Sequence, residues 1–376
     1  MIAEQPSRAR YIMIGGFLGA GKTTAVAQLA RHLTDRGLKV GLISNDQSTG
    51  LVDTALLRSQ GFQVEEIVGG CFCCRFNSLL DAANRLTERT CPDVFVAEPV
   101  GSCTDLVATV SYPLRRIYGD RFTIAPLSVL VDPIRGARIF GLAEGRSFSE
   151  KVIYVYRKQL EEADLIVINK CDLVSESLRG QLVQIMRESF PRARVVCCSA
   201  KEGTGLNEWF DRLLDSQCQD GATMELDYAV YAQGEALLGW LNCTVTLTAE
   251  QPFDADAFLL GITNGIKKRL DNQGIEIAHL KMTLDSRDAA GHLSVVSLVG
   301  SDAEPDLRES LLDRIGAGEL IINLRAEADP ERLREATTEA LETWTQSVDG
   351  VSADIGHLEC FRPGKPTPTH RMATSQ

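Results

Sequence analysis

No stretch of this 376-residue sequence approaches the roughly eighteen consecutive apolar residues that a membrane span needs. Arg8 and Arg10 before the apolar run Tyr11 to Ala20 imitate the start of a secretory signal, but the run ends in Gly21-Lys22-Thr23-Thr24, which is no cleavage site. Positive charge is short: 39 Lys and Arg face 51 Asp and Glu, a formal net charge of −12. An acidic surface repels phosphate backbones and anionic lipids, so neither nucleic acid nor a membrane surface is an expected partner. Internal repeats and long charge runs are also lacking. Cysteine is not scarce, with eleven residues, yet the chain is far longer than a disulfide scaffold. Three of the eleven fall within four residues, too close to staple distant elements, and a reducing cytoplasm is the expected compartment. A composition 44% hydrophobic and 24% charged excludes collagen-like, mucin-like and wholly disordered chains.

What is present reads as two domains with a tail. Short apolar runs at 11–14, 39–44, 64–68, 94–97, 127–131, 165–168 and 194–197 predict buried strands. Amphipathic stretches at 22–36, 79–90, 151–163, 178–189 and 206–214 predict the helices between them. This alternation implies an α/β domain over residues 1–217, a mainly parallel sheet with helices on both faces and ligands at the carboxyl ends of its strands. Polar pieces over 218–234 read as a linker. Beyond it, strands at 240–247, 277–284, 293–299, 320–324 and 357–361 alternate with helices at 255–270 and 330–346. That order suits a smaller α+β domain over 235–361, of ferredoxin-like type, followed by a polar tail over 362–376.

Gly16-Phe17-Leu18-Gly19-Ala20-Gly21-Lys22-Thr23 matches the phosphate-binding loop G-x-x-x-x-G-K-[ST], between a predicted strand and a predicted helix. Its glycines let backbone N–H groups turn onto a phosphate at the positive end of the helix. Lys22 reaches the β- and γ-oxygens, the Thr23 hydroxyl holds Mg²⁺, and Thr24 continues the helix start. Asn169-Lys170-Cys171-Asp172 follows another strand. A carboxylate at Asp172 accepts from the N1 and N2 donors of guanine, an edge that adenine does not offer. Asn169 would brace the loop and Lys170 would lie along the ring. Ser199-Ala200-Lys201 resembles the second guanine loop of GTPases, where a backbone N–H meets the base O6. Asn-Lys-x-Asp alone is a common surface turn; behind a phosphate loop and ahead of Ser-Ala-Lys it makes GTP the expected nucleotide. Glu98-Pro99-Val100-Gly101 ends a further strand, with Glu98 a candidate for a Mg²⁺-bound water and the Gly101 N–H for sensing a γ-phosphate. Asp46 is a second candidate for the metal or the attacking water.

Gly69-Gly70-Cys71-Phe72-Cys73-Cys74 is the most unusual segment. In an extended backbone Cys71 and Cys73 share a face and can share one ion, while Cys74 joins them only if the chain turns. Thiolates select soft or borderline metals such as Zn²⁺ or Cu⁺, and two or three sulfurs leave coordination open, which suits delivery better than storage. A reduced, buried cysteine group with no ion is the alternative reading of the same residues.

The phosphate loop with its Gly-Gly entrance, the Gly-Gly-Cys-Phe-Cys-Cys segment, Glu98-x-x-Gly101 and Asn169-Lys170-x-Asp172 occur in the order seen in CobW-like GTPases. These resemble, and group with, the nickel-insertion GTPases of urease and hydrogenase. The resemblance covers residues 8–215; the second half matches in size and element order. It implies slow GTP hydrolysis, with Lys22, Asp46 and Glu98 as catalytic candidates, coupled to handing a transition metal such as Zn²⁺ or Co²⁺ to a client metalloprotein or cofactor enzyme. Two departures stand out. Family members usually show Asn-Glu-x-Gly-Glu after the second strand, where this chain has Asn45-Asp46-Gln47-Ser48-Thr49-Gly50. Many also carry a His-rich run, whereas here five histidines are scattered, so metal storage is not expected. His357, Cys360 and His370 are the candidates for an accessory site. No arginine stands out as a transition-state finger.

The expected function is a Mg²⁺-dependent GTPase acting as a metallochaperone, with a homodimer left open. The rival readings are a GTP-controlled binding module for a client enzyme, with structural cysteines, and a small-molecule kinase, which would have no need of the guanine loops.

Overall fold

The computed structural model describes residues 8–47, 52–218, 223–286 and 293–373. β1 (Ala9–Gly16) is apolar on both faces, with Tyr11 and Met13 entering one core and Ile12 and Ile14 the core on the opposite side. Two-faced burial is what a central parallel strand demands. β2 (Val40–Asn45), β3 (Val64–Ile67), β4 (Val94–Glu98), β5 (Phe122–Ile124), β6 (Ser128–Val131), β7 (Leu165–Ile168) and β8 (Arg194–Cys197) complete an eight-stranded sheet. Its order is β3-β2-β4-β1-β6-β7-β8, every pair parallel, with β5 beside the first half of β1. β1 thus lies between β4 and β6, and the chain leaves it at the crevice where strand order reverses, the place where such sheets hold ligands.

The helices are α1 (Lys22–Asp35), α2 (Val52–Ser59), α3 (Phe76–Thr90), α4 (Tyr112–Tyr118), α5 (Pro133–Ile139), α6 (Glu150–Glu161), α7 (Glu176–Ser189), α8 (Leu206–Asp215) and α9 (Tyr228–Leu237). α9 corrects the sequence reading, because it falls inside the stretch expected as a linker. It is capped by Asp227, which accepts from the Ala229 and Val230 N–H groups, and it buries Tyr231, Gly234 and Glu235. The buried positions include a glycine and a glutamate, so no apolar stripe announced it; the Asp227 cap was its sequence signal. Residues 219–222 of that stretch lie outside the described residues.

The second domain runs through β9 (Leu238–Phe253), α10 (Ala255–Asn272), β10 (Ile277–Ser286), β11 (Leu293–Leu298), β12 (Asp306–Glu309), β13 (Ile315–Glu327), α11 (Pro330–Ser347) and β14 (Val351–Phe361). Its sheet has the order β12-β11-β10-β13-β9-β14, all antiparallel. Without β11 and β12 the path is the βαββαβ ferredoxin-like one, with β11 and β12 widening the sheet at one edge. Alternation along β13 divides its faces. Leu320, Ile322 and Leu324 enter the core that holds Phe258, Ile262 and Leu333 of α10 and α11, while Asn323 and Arg325 meet the first domain. β5 and β12 are the strands the sequence reading missed, at three and four residues each.

The polar tail is also folded back where it is described. Thr369 N–H donates to the Cys73 carbonyl at 2.8 Å, and Met372 N–H donates to the Ala108 carbonyl at 2.9 Å. Residues 374–376 lie outside the described residues. Among the described residues no helix is long and apolar enough to cross a membrane.

Candidate functional site

The phosphate loop joins β1 to α1 with Gly16, Gly19 and Gly21 all at positive φ. At Gly21 the reason is twofold. Its φ of 89° is left-handed, and a Cβ there would lie 2.5 Å from Asn169 Nδ2. Asn169 fills that space as a brace: Nδ2 donates to the Ala20 carbonyl at 2.9 Å and Oδ1 accepts from the Ala200 N–H at 2.9 Å. One buried amide therefore ties the phosphate loop to the Asn169–Asp172 and Ser199–Lys201 loops. Lys170 donates to the Gly19 carbonyl at 2.8 Å and pairs with Asp132 at 2.9 Å. Asp172 is exposed and, with Lys170 and Lys201, lines a cavity of about 470 Å³ whose other wall carries Val299, Pro305 and Arg308 of the second domain.

The smaller cavity beside it, about 50 Å³, is lined by Gly19, Gly21, Lys22, Thr23, Thr24, Asp53 and Glu98, and by His279, Lys281 and Arg308. Thr23 Oγ1 donates to Asp53 Oδ1 at 2.7 Å and lies 3.1 Å from Glu98 Oε1. Glu98 Oε2 is buried without a hydrogen-bond partner among the described residues. Burial, with Asp53 beside it, pushes the Glu98 carboxyl up to about 7. Burial would raise Asp53 as well, but the Lys281 ammonium at 2.6 Å and the Thr23 hydroxyl outweigh it and hold Asp53 below the usual carboxylate range. Burial lowers Lys22, with Glu98 opposing.

Asp46 is not brought to Thr23. Its carboxylate faces the Arg325 guanidinium at 3.4 Å and accepts from the Gln47 N–H at 2.6 Å. Asp53, in the first turn of α2, takes the place expected for it. The sequence reading sought a carboxylate at a strand end and did not recognise α2; Asp53 at the head of an amphipathic eight-residue stretch was the available signal. Ser48, Thr49 and Gly50 lie outside the described residues. Lys281 and Arg308 were missed too. Arg308 Nη1 donates to Thr24 Oγ1 at 2.7 Å, so the second domain reaches the helix that begins at the phosphate loop.

The cysteine segment departs from the extended form expected of it. Cys74 N–H and Arg75 N–H both donate to the Cys71 carbonyl, at 3.0 and 2.9 Å, so the chain turns and Cys74 comes round to its partners. The Sγ of Cys71 lies 2.6 Å from that of Cys73 and 3.3 Å from that of Cys74, and Cys73 and Cys74 are 3.7 Å apart. Cys103, which the sequence reading did not single out, adds a fourth thiol 3.9 Å from Cys73. The contacts with Cys103, Cys73 and Cys74 lower Cys71 well below the usual thiol range, while Cys73, through Cys103 first and then Cys71, and Cys103, through Cys71, are raised well above. Cys74, whose thiol lies 3.3 Å from that of Cys71, is pushed up to about 11, the Cys71 contact being the main cause. Among the described residues, Cys71, Cys73 and Cys74 form the group of three whose ligand atoms lie within 4.8 Å of one another. His357, Cys360 and His370 form no such group: His357 sits 3.9 Å from Glu359, and the His370 ring packs edge-on against Phe76.

A phosphate loop braced to two base-side loops, with a thiol cluster after β3 of the same sheet, defines a phosphate-loop nucleotide-binding domain with a candidate metal site. The family profile described as CobW/HypB/UreG, nucleotide-binding domain, matches residues 10–197, half of the chain, and the chain belongs to that family. It is 31% identical over 163 residues to the zinc chaperone YeiR of Escherichia coli, an alignment covering 43% of this chain and 46% of that protein. It is 25% identical over 212 residues to the zinc-regulated GTPase metalloprotein activator 1 of Dictyostelium discoideum, covering 49% and 44%. The chain spans about half the length of these curated relatives. Among solved structures, HypB from Helicobacter pylori in complex with nickel aligns at 20% identity with a TM-score of 0.42, over 55% of this chain and 86% of that one.

Proposed function

We propose that this protein is a Mg²⁺-dependent GTPase that couples its nucleotide cycle to handing a thiolate-held metal ion, such as Zn²⁺ or Co²⁺, to a client protein. The observation that carries the reading is the pairing, within one domain, of the braced guanine-type loops with three sulfurs close enough to share an ion. The printed names of the relatives, zinc chaperones and a metalloprotein activator, support it.

In this reading Lys22 holds the β- and γ-phosphates, Gly101 contacts the γ-phosphate, and Asp172 accepts from guanine N1 and N2 while a backbone N–H of the Ser199–Lys201 loop other than that of Ala200, which Asn169 already engages, meets its O6. Thr23, Asp53 and Glu98 would hold Mg²⁺, and the unpartnered Glu98 Oε2 beside a hydroxyl and a second carboxylate is the donor set such a hard cation takes. Bound there, it supplies charge neutralisation at the phosphate oxygens. Asp46, paired with Arg325, acts in docking the second domain rather than at the metal. Cys71, Cys73 and Cys74 hold the cargo.

The test is GTP affinity with and without Zn²⁺ or Co²⁺, in the unaltered protein and in Cys71→Ser/Cys73→Ser. Linkage predicts a metal-dependent shift of about 5- to 150-fold that the double variant loses. If no metal shifts the affinity, or the variant shifts equally, the cysteines are structural and the protein is a GTP-controlled binding module. Asp172→Asn should weaken GTP about 100-fold and leave ATP unchanged.

A further inference from the structure

Cys103 lies thirty-two residues from Cys71 in sequence, on the turn that follows β4. That turn is closed by the Cys103 N–H donating to the Val100 carbonyl at 3.0 Å, so Gly101 and Cys103 are held in one short turn. Gln159 of α6 grips both ends of it, with Nε2 donating to the Gly101 carbonyl at 2.9 Å and the Cys103 carbonyl at 2.8 Å. The Ser102 hydroxyl, between them, donates to Glu235 of α9 at 2.6 Å. On the nucleotide side, Gly101 presses on the phosphate loop. A Cβ at Gly101 would lie 2.6 Å from Leu18 Cδ2 and 3.1 Å from the Leu18 nitrogen, so a side chain there would have to push Leu18 of the phosphate loop aside. On the other side the Cys103 thiol, 1% exposed, faces Cys73 at 3.9 Å. One short turn therefore touches the phosphate loop with one residue and the thiol cluster with another.

The sulfur geometry suits a fourth ligand. Tetrahedral zinc with Zn–S bonds of about 2.3 Å places its sulfurs about 3.8 Å apart. The Cys73–Cys74 and Cys73–Cys103 separations, 3.7 and 3.9 Å, are close to that edge; Cys71 has to move outward from Cys73, and Cys103, which stands outside the group of three sulfurs within 4.8 Å of one another, has to move in toward it. Three of the four sulfurs are buried and the fourth, Cys74, faces the tail, where the Thr367 N–H donates to it at 3.2 Å. An ion here has a closed side at Cys103 and an open side at Cys74.

We propose that Cys103 is a fourth thiolate ligand of the transferred ion, and that its place on the Gly101 turn makes the number of sulfurs on the ion depend on the bound nucleotide. The proposal rests on the metal-delivery reading and adds to it a coupling residue. When the turn shifts with the γ-phosphate, Cys103 joins or leaves the ion, changing a closed four-sulfur site into an open three-sulfur one from which a client can draw the metal. Each thiol gives up its proton on binding and takes one back on release, so no oxidant or reductant is needed.

The experiment titrates the full chain with Co²⁺ in the presence of GDP, and again with a non-hydrolysable GTP analogue, and follows the sulfur-to-cobalt charge-transfer band, whose intensity counts thiolates. In the unaltered protein the band should differ between the nucleotides. In Cys103→Ser its larger value should fall by about one quarter, and the nucleotide difference should vanish. Cys103→Ala, with thermal unfolding of the metal-free variants as the check on folding, should give the same result. A band of equal intensity in the unaltered protein and in both folded variants, with either nucleotide, overturns the role of Cys103 while leaving metal delivery standing. No charge-transfer band in the unaltered protein overturns the metal reading itself, and this proposal with it.

Discussion

The two sheets deliver their functional side chains in different ways. In the parallel sheet the candidate residues stand at or beyond strand ends: Lys22 and Thr23 after β1, Cys71 after β3, Glu98 at the end of β4, Asn169 after β7 and Ala200 after β8. In the antiparallel sheet they stand in mid-strand, with His279 and Lys281 on β10 and Asn323 and Arg325 on β13. All four lie on the face away from α10 and α11. Loops let several backbone and side-chain groups converge on one ligand. A sheet face instead offers a rigid array at every second residue, and that array roofs the site: Lys281 on Asp53, Arg325 on Asp46, and the Asn323 Oδ1 accepting from the Val52 N–H at 2.9 Å. Chemistry is placed in the loops, and closure by the second sheet.

The largest effect should come from the strand-end side of this comparison. Lys22→Ala removes the ammonium that the proposed function puts on the transferring phosphoryl group and should slow GTP hydrolysis by about 1,000-fold, measured as phosphate release from protein free of contaminating NTPase. Turnover within a factor of a few of the unaltered protein would move the chemistry away from this loop.

The face side should break through stability instead. Arg325 is fully buried, donating to the Leu241 carbonyl at 2.7 Å and to Asn242 at 2.8 Å, with its guanidinium 4.1 Å from the Trp240 ring centroid. Arg325→Met keeps the length and leaves the Asp46 carboxylate without its cation. We expect a loss of about 3 kcal/mol in denaturant unfolding. An unchanged midpoint would mean that the polar face of β13 contributes nothing to docking.

This difference also decides what the sequence could reveal. Strand-end sites are contiguous, so the phosphate loop, Asn169–Asp172, Ser199–Lys201 and the Cys71–Cys74 segment could be picked out as short strings with a mechanism attached. The parallel sheet and the α+β second domain were legible for the same reason, as runs of one period or the other. Face-borne groups are legible only by alternation: Leu280, Met282 and Leu284 set against His279, Lys281 and Thr283 mark a two-faced strand, but nothing local says that its polar face covers a nucleotide site. Asp53 and Cys103 fall between the cases. Each is one residue without a motif, brought to its site by α2 or by the Gly101 turn, and only tertiary packing reveals its neighbours.

A smaller effect tests α9, the helix hidden in the expected linker. Burial raises its Glu235 to about 8, so the folded state holds the proton while the unfolded chain releases it near 4.5. A carboxyl raised on folding contributes most at low pH, and that contribution is lost as pH climbs from about 4.5 to about 8. Metal-free protein should therefore lose about 1 kcal/mol of stability per pH unit through this window from this group. Glu235→Gln, neutral at every pH and able to keep an acceptor for Ser102, should flatten the slope and gain about 3 kcal/mol at pH 7.5. An identical slope in the variant would mean that Glu235 is ionised in the folded protein.

The smallest effect concerns the tail, which belongs to neither sheet and lies across the thiol cluster. Three contacts place it there: Thr367 N–H to Cys74 Sγ, Thr369 N–H to the Cys73 carbonyl, and Met372 N–H to the Ala108 carbonyl. Arg371 fastens it, with Nε donating to Asp105 at 2.7 Å. Asp105 keeps a second partner, the Tyr228 hydroxyl at 2.6 Å, so Arg371→Ala leaves no unpaired buried carboxylate. Because Arg371 is 35% exposed on its side chain, solvent screens the pair, and its loss should cost about 1 kcal/mol of tail attachment without touching the global fold. Local opening governs access to a half-buried thiol, so a 1 kcal/mol loss should speed labelling of Cys74 by a small maleimide about fivefold in metal-free protein. Cys91, exposed and far along the chain from the tail, is the internal reference, and its labelling rate should not change. If both thiols keep their rates, the tail does not shield Cys74, and the open side of the cluster is already free for a client to approach.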